Sequence, residues 1–194
     1  MVQKKISRIF FLTLIIFLVE GASQLVAGLE FDEKKHLSVY LTRKQALEVA
    51  FPGADKVDRE KINLTDGQRK AIGKAFGFRI KDRRARFYVG KKNGKIMGYM
   101  IIGHQIGKNL PITFMTVINP DGTVRDIEVM VYREPEGWEV RFESFLRQFF
   151  GRDSTSDFRE INSITGATLS VRSITVGVQK ALIMYKVLYL DKVQ

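Results

Sequence analysis

Two short segments between residues 42 and 76 place apolar residues at helical spacing. The first begins with Thr42, a good N-cap, and ends before Pro52-Gly53. The second begins at Thr65 or Asp66 and ends near Gly77, since glycine readily adopts the left-handed conformation that terminates helices. The pattern therefore predicts two short, capped helices in this part of the chain.

From Ala85 the pattern changes to runs of apolar and β-branched residues separated by turn signals. Asn93-Gly94 is typical of a type I′ hairpin turn, which needs positive φ at both central positions. A second turn is expected at 119–122, which reads Asn-Pro-Asp-Gly. The pattern predicts four strands in an antiparallel, curved meander, over residues 86–89, 96–102, 112–118 and 124–132.

Helical periodicity returns in the last third of the chain. A stripe of phenylalanines from Phe142 to Phe150 predicts an amphipathic helix ended by Gly151, with the stripe in the core. A long helix is predicted from Ser170 to about Leu190. Its apolar face comprises Ile174, Val178, Ala181, Leu182, Tyr185 and Leu188. The predicted class is α+β, a curved antiparallel sheet covered by helices.

The N-terminus has the organisation of an export segment. Three basic residues precede the apolar run 9–19, and small residues follow at 21–23. The uninterrupted run is shorter than the ~20 residues that span a bilayer. A cleaved signal peptide and a retained anchor over residues 6–29 are both compatible with it. Either places the domain outside the cytoplasm, and the predicted division is residues 1–28, a mixed region 29–84 and a core 85–194.

Composition restricts the chemistry that the chain supports. It has no cysteine, which excludes disulfides, cysteine-ligated iron–sulfur clusters and c-type haem attachment. The only histidines are His36 and His104, so we expect no metal site, and any redox cofactor must be organic. The net charge is +11, or +9 without residues 1–28, which suits an anionic membrane surface or an acidic partner but is equally compatible with a merely solvated basic surface. Nucleic acid is not expected, because the export signal argues against it and no binding motif appears.

The segment 162–170 immediately precedes the last predicted helix. From helix physics alone, Thr168 is expected to be an ordinary N-cap. A helix N-terminus also offers unpaired N–H groups and a positive dipole to a phosphate, which Thr165, Thr168 and Ser170 would surround with hydroxyl groups. Gly166 and Ala167 keep the approach to the Thr168 oxygen clear.

Residues 165–170, Thr-Gly-Ala-Thr-Leu-Ser, match a [Ser/Thr]-Gly-Ala-Thr-x-[Ser/Thr] motif. A pattern of this length should occur by chance in on the order of one chain in a thousand. The chain thus resembles the FMN-binding domain family, found in exported flavin subunits of Rnf and sodium-pumping NADH:quinone oxidoreductase complexes. The resemblance implies FMN joined by a phosphoester bond to Thr168. It further implies a flavin transferase that uses FAD and Mg²⁺, with Leu169 and Ser170 also at the cofactor site.

Looser similarity to this family extends over roughly residues 85–190. Glu134-Pro135-Glu136-Gly137 resembles its Glu-(Thr)-Pro-Gly loop, although Glu136 is an irregular addition. The resemblance implies that Glu134, Gly137 and Trp138 cover the flavin ring, with Trp138 either stacking on it or, as we favour, anchoring the loop. Asn162 stands where the family usually has aspartate. Asparagine can form the same turn-forming hydrogen bonds as aspartate but lacks its negative charge.

Two further features of the sequence concern His104 and the segment 145–151. His104 is expected to be a solvent-facing strand residue rather than a donor to a flavin carbonyl. Gln148 and Phe149, with Phe145 and Gly151, resemble the family's Phe…Gln-Phe-x-Gly segment.

These patterns together predict an exported, membrane-associated flavoprotein that relays electrons between a membrane redox partner and an acceptor. Such a protein is a carrier subunit of an oxidoreductase system rather than a stand-alone enzyme. Two alternatives remain at this point. One is a flavin-dependent reductase with its own terminal acceptor, and the other is a basic exported adaptor without a cofactor.

Overall fold

The computed structural model describes residues 37–193. The segment predicted as a signal peptide or membrane anchor lies outside the described residues. Within the described residues, no helix is long and apolar enough to cross a membrane.

Six antiparallel strands form the centre of this part of the chain. They are β1 (Ser38–Val39), β2 (Lys56–Asn63), β3 (Arg84–Lys92), β4 (Lys95–Ile106), β5 (Pro111–Ile118) and β6 (Val124–Tyr132). Their order across the sheet is β1-β6-β5-β4-β3-β2. The four predicted strands are therefore confirmed as consecutive neighbours. Asn93 and Gly94 both have positive φ, 51° and 74°, as the predicted turn requires.

Strand β2 was not predicted, because its residues were assigned to a mixed region over 29–84. It pairs along eight residues with β3 at the edge of the sheet. Its sequence, KVDREKIN, alternates weakly because charged residues occupy both faces. Edge strands often carry such charges, which discourage pairing with other chains but also hide the apolar period.

Four α-helices surround the sheet: α1 (Arg43–Ala50), α2 (Asp66–Phe76), α3 (Glu143–Leu146) and α4 (Thr168–Tyr185). The predicted caps of α1 and α2 are confirmed. The hydroxyl groups of Thr42 and Thr65 each accept a hydrogen bond from the N–H of a glutamine three residues later, and the side-chain oxygen of that glutamine accepts one from the threonine N–H. Gly77 ends α2 in the left-handed conformation at φ 80°.

Helix α4 packs on one face of the sheet and α1 on the other. The predicted apolar face is buried from Ile174 to Tyr185, where it belongs to the larger core cluster with Phe87, Phe114 and Tyr132, whereas Leu188 lies after α4 and is partly buried. The helix is α-helical to Tyr185 and continues as a wider turn over Lys186–Leu190. On the opposite face, Ala46 and Ala50 of α1 contribute to a smaller cluster.

The single amphipathic helix predicted over residues 142–150 is wrong. Only α3 is α-helical there, and it lies between 3₁₀ turns at Trp138–Arg141 and Arg147–Phe149. The segment then meets the start of β6, where the N–H of Gly151 donates to the carbonyl of Val124 at 2.9 Å. Phe145 and Phe149 are buried as expected, whereas Phe142 and Phe150 are exposed.

Candidate cofactor site

Thr168 is the first residue of α4, and it follows a tight turn. Gly166 has φ 82°, and the N–H of Ala167 donates to the carbonyl of Ile164 at 3.0 Å, which closes the turn. The helix cap is Ala167, so the interpretation of Thr168 as an N-cap is wrong. Within the described part of the chain, no side chain caps α4.

The motif presents its residues to solvent unevenly. Thr165, Thr168 and Leu169 are exposed, whereas Ala167 and Ser170 are buried. A side-chain carbon built on Gly166 would have nothing within 4 Å, so the space beside Thr168 is open. The first-turn N–H groups of the helix lack partners within the helix, as at every helix start. Thr168 is thus an exposed hydroxyl at the positive end of an eighteen-residue helix.

Tyr132, at the end of β6, joins this helix to the loop that follows the strand. Its hydroxyl donates to the carbonyl of Glu136 at 2.5 Å and lies 2.8 Å from the Ser170 Oγ. The loop 134–138 therefore lies against the motif, as the resemblance implied. The Ser170 hydroxyl, which we expected to be one of three hydroxyl groups around a phosphate, is instead buried against Tyr132.

Gly137 allows this close approach between loop and helix. A methyl group at Gly137 would lie 2.8 Å from both the Ser170 Oγ and the Tyr132 hydroxyl, and 3.4 Å from the Ala167 Cα. Its φ of 81° is also one that side chains rarely allow. No other residue fits here without moving the loop away from α4.

Burial raises the pKa of Tyr132 to about 12, although its hydrogen bond with Ser170 partly opposes the shift. The phenol is therefore protonated at neutral pH. The single proton of the Tyr132 hydroxyl is donated to the carbonyl of Glu136, so in the contact with Ser170 the serine hydroxyl donates and the Tyr132 oxygen accepts. Sequence reasoning missed Tyr132; its only signal was a polar side chain at a position where the strand alternation predicts burial.

Glu134 is buried and faces the turn between β4 and β5. Its Oε1 accepts hydrogen bonds from the N–H of Asn109 at 2.8 Å and of Leu110 at 3.1 Å. A methyl group at Gly107 would lie 2.6 Å from the same oxygen. The residue that the resemblance assigned to the flavin thus connects the loop to this turn.

Trp138 lies on the outside of the loop with 40% of its surface exposed. Its ring meets Phe142 edge to face at 5.4 Å, and the Arg141 guanidinium lies 5.7 Å from its centroid. Leu169 beside the attachment position is 49% exposed. The site thus has exposed apolar surface on both the loop and the helix.

Asn162 lies on the exposed approach to the motif, where its N–H donates to the Oε1 of Gln148 at 2.8 Å. Gln148 comes from the segment after α3 and therefore fixes the start of the motif loop. His104 is exposed on β4, as expected, with its Nδ1 3.0 Å from the Thr113 Oγ1. Partial burial of the imidazole, and then the nearby charges of Arg133 and Arg86, lower the pKa of His104.

Within the described residues, no group of three or more histidine, aspartate or glutamate side chains is placed to hold a metal ion. The site is built from hydroxyl groups, main-chain N–H groups and apolar surface. That chemistry suits a phosphate bearing an aromatic ring.

Comparison with known proteins agrees with this description. Residues 107–183 match the FMN-binding domain family. The matched region begins at the β4–β5 turn and includes the loop 134–138, the motif and most of α4, so it contains all three parts that Tyr132 and Glu134 join.

Two relatives resemble the chain at 24% identity, and both are subunits of ferredoxin:NAD(+) oxidoreductase complexes. One belongs to the Na(+)-translocating complex of Acetobacterium woodii, and the match covers 59% of this chain and 62% of the relative. The other belongs to the proton-translocating complex of Clostridium ljungdahlii, and the match covers 60% of this chain and 69% of the relative. The chain therefore matches less than two thirds of the first relative's length.

A solved structure shares the fold. The crystal structure of Shewanella oneidensis NqrC superposes with a TM-score of 0.52 at 15% identity, covering 71% of this chain and 84% of that one. At this identity the likeness concerns the fold alone.

Proposed function

We propose that this chain carries FMN in a phosphoester bond to Thr168 and relays electrons between a membrane redox partner and an acceptor. The observation that carries the proposal is the position of Thr168. Thr168 is exposed at the start of an uncapped eighteen-residue helix, within the region that matches the FMN-binding domain family.

The first turn of α4 is suited to the phosphate of such a linkage. The amide groups of the first turn and the helix dipole favour a negative charge there. Thr165 is exposed three residues earlier and supplies a second hydroxyl, while Gly166 leaves the space open. The buried Ser170 contributes its main-chain N–H, since its side chain bonds Tyr132.

The ring of the flavin would lie over apolar surface that is otherwise exposed. Leu169 in the first turn of α4 and Trp138 after the loop provide this surface. The flavin, when bound, supplies one- and two-electron transfer. The residues of this chain hold it, fix the loop through Tyr132, and leave one side accessible to donor and acceptor.

We further propose that the domain works outside the cytoplasm beside a membrane, and that a flavin transferase using FAD and Mg²⁺ attaches the cofactor. The export-type segment at residues 1–28 and the net charge of +11 support this location. The relatives are named as subunits of ferredoxin:NAD(+) oxidoreductase complexes, which supports a redox partner.

The intact mass of exported protein tests the linkage. We expect one added FMN less one water, on a peptide that contains Thr168, when the chain is produced with an active flavin transferase. Thr168→Val should lack the adduct and Thr168→Ser should retain some. Ser163→Ala removes an exposed hydroxyl nearby and should be modified like the wild type. An unmodified wild-type mass, in cells whose transferase modifies another substrate, would refute the proposal.

A second experiment separates a carrier from a reductase with its own acceptor. Reduced, flavinylated protein is mixed with small-molecule and protein acceptors, and flavin absorbance is followed. A carrier should exchange electrons quickly with redox proteins and show no saturable turnover with a small molecule.

A further inference from the structure

The pairing between β3 and β4 stops before either strand ends. Tyr88 and Met100 form the last registered pair, yet β3 begins at Arg84 and β4 continues to Ile106. Beyond that pair, β3 remains bonded to β2 and β4 to β5. In this described part of the sheet, the facing edges at 84–87 and 101–105 are therefore not paired with each other.

A cavity of about 330 Å³ occupies this split. Its walls are the two separated strand edges, with Phe114 and Thr116 of β5 and the side of α4 completing the lining. Gly177 brings α4 close, because a methyl group there would overlap the Phe114 ring. The volume is near the lower end of the roughly 300–1,000 Å³ typical of ligand pockets, which favours a molecule of one or two rings.

The cavity contains a buried polar group whose bonding is incomplete. Thr116 is 1% exposed, and among the described residues its Oγ1 has no hydrogen-bond partner. Thr113 on the same strand contrasts with it, since its Oγ1 contacts Arg133 and His104. Leaving a buried hydroxyl unbonded is unfavourable, so the site favours an occupant that supplies an acceptor.

The charged residues at the cavity are mainly cationic. Arg84, Arg86 and Lys180 belong to the lining, against one acidic residue, Asp82. Lys180 Nζ lies 2.5 Å from the Asp82 Oδ2, so the two arginines remain as the local excess of positive charge. Both arginines are exposed, which places charge at the entrance and apolar surface within.

We propose that the split between β3 and β4 binds a small, planar organic anion bearing a carbonyl oxygen. The Thr116 hydroxyl donates to the carbonyl, the apolar walls cover the ring, and Arg84 and Arg86 attract the anionic group. This site is formed by different residues from those around Thr168, so it does not depend on the attached flavin.

Calorimetric titration of the full-length chain with two matched probes tests the proposal. Naphthoquinone sulfonate has the ring, the anion and the carbonyls, whereas naphthalene sulfonate lacks only the carbonyls. We expect saturable binding of the first and several-fold weaker binding of the second, in the wild type and in Thr168→Val alike. Equal binding of the two probes, or none of either, would overturn the proposal.

Three variants assign the binding to the cavity. Thr116→Val should weaken naphthoquinone sulfonate binding roughly tenfold, as expected for one lost hydrogen bond, and leave naphthalene sulfonate unchanged. Its thermal midpoint should not fall, since the lost hydroxyl has no partner. Thr113→Val makes the same change on the opposite face of β5, and it should lower the midpoint but not the affinity. Arg86→Gln should weaken both probes and reduce the salt dependence of binding. Unchanged affinity in both Thr116→Val and Arg86→Gln would place the binding elsewhere and refute the assignment.

Discussion

Replacing Tyr132 with phenylalanine should loosen the loop 134–138 from α4 while preserving the ring that fills the core. The change removes the hydroxyl that donates to Glu136 and pairs with Ser170, and it leaves the Ser170 hydroxyl buried without this partner. Losing a buried hydrogen-bond partner costs about 1–3 kcal/mol. For a domain of this size, 1 kcal/mol corresponds to roughly 2–4 °C in the thermal midpoint. We therefore expect Tyr132→Phe to melt roughly 2–12 °C below the wild type at neutral pH.

The titration of the Tyr132 hydroxyl should make the stability difference between wild type and Tyr132→Phe depend on pH. Burial raises the Tyr132 pKa from 10.0 to about 12, so the folded state holds the proton more tightly than the unfolded state. The stabilisation that the protonated Tyr132 hydroxyl gives the folded state is complete below pH 10 and is lost as the pH rises from 10 towards 12. Other tyrosines titrate in both proteins and cancel in the comparison. The stability gap between wild type and Tyr132→Phe should therefore narrow in that range.

Thermal melts at several pH values measure both effects, and the single tryptophan provides a local signal. Trp138 lies two residues after Glu136, so its fluorescence should shift when the loop loosens. Tyr40→Phe is the matched control, because Tyr40 contacts Arg141 through its ring, which phenylalanine keeps. An unchanged midpoint and tryptophan spectrum in Tyr132→Phe, or a gap that widens above pH 10, would refute this reasoning.

Three other predictions concern the motif and the packing of α4. Asn162→Asp should be flavinylated as fast as the wild type or faster and Asn162→Leu more slowly, as measured by mass spectrometry over time; equal rates for all three would exclude a role in recognition. Flavinylated wild type should melt above unmodified wild type, because the phosphate contributes up to about 1–2 kcal/mol at the helix start; coincident melts would show that the phosphate is not seated there. Gly177→Ala should lower the free energy of unfolding by about 1–3 kcal/mol despite the better helix propensity of alanine, because the added methyl overlaps Phe114; denaturant titration measures this, and a stabilised variant would contradict the packing described.

Local features could be predicted because neighbouring residues alone establish them. The caps at Thr42 and Thr65 involve residues three apart, and the Asn93-Gly94 turn needs only its own backbone conformation. The motif at 165–170 is likewise contiguous, so its residue types and its position before the last helix were apparent from the sequence. Its surroundings were less apparent, since the side chain of Ser170, expected to bind a phosphate, forms a hydrogen bond with Tyr132 thirty-eight residues away.

The sequence by itself determined the α+β class, the order of the central strands, the two capped helices and the candidate attachment residue. Only the tertiary structure decided that Glu134 holds the β4–β5 turn, that Tyr132 joins the loop to α4, that β2 completes the sheet, and that β3 and β4 separate. The physical reason is that the features apparent in the sequence depend on the spacing of apolar residues and on hydrogen bonds between near neighbours. The features decided by the tertiary structure depend on which distant polar groups are buried together, and no local pattern specifies that pairing.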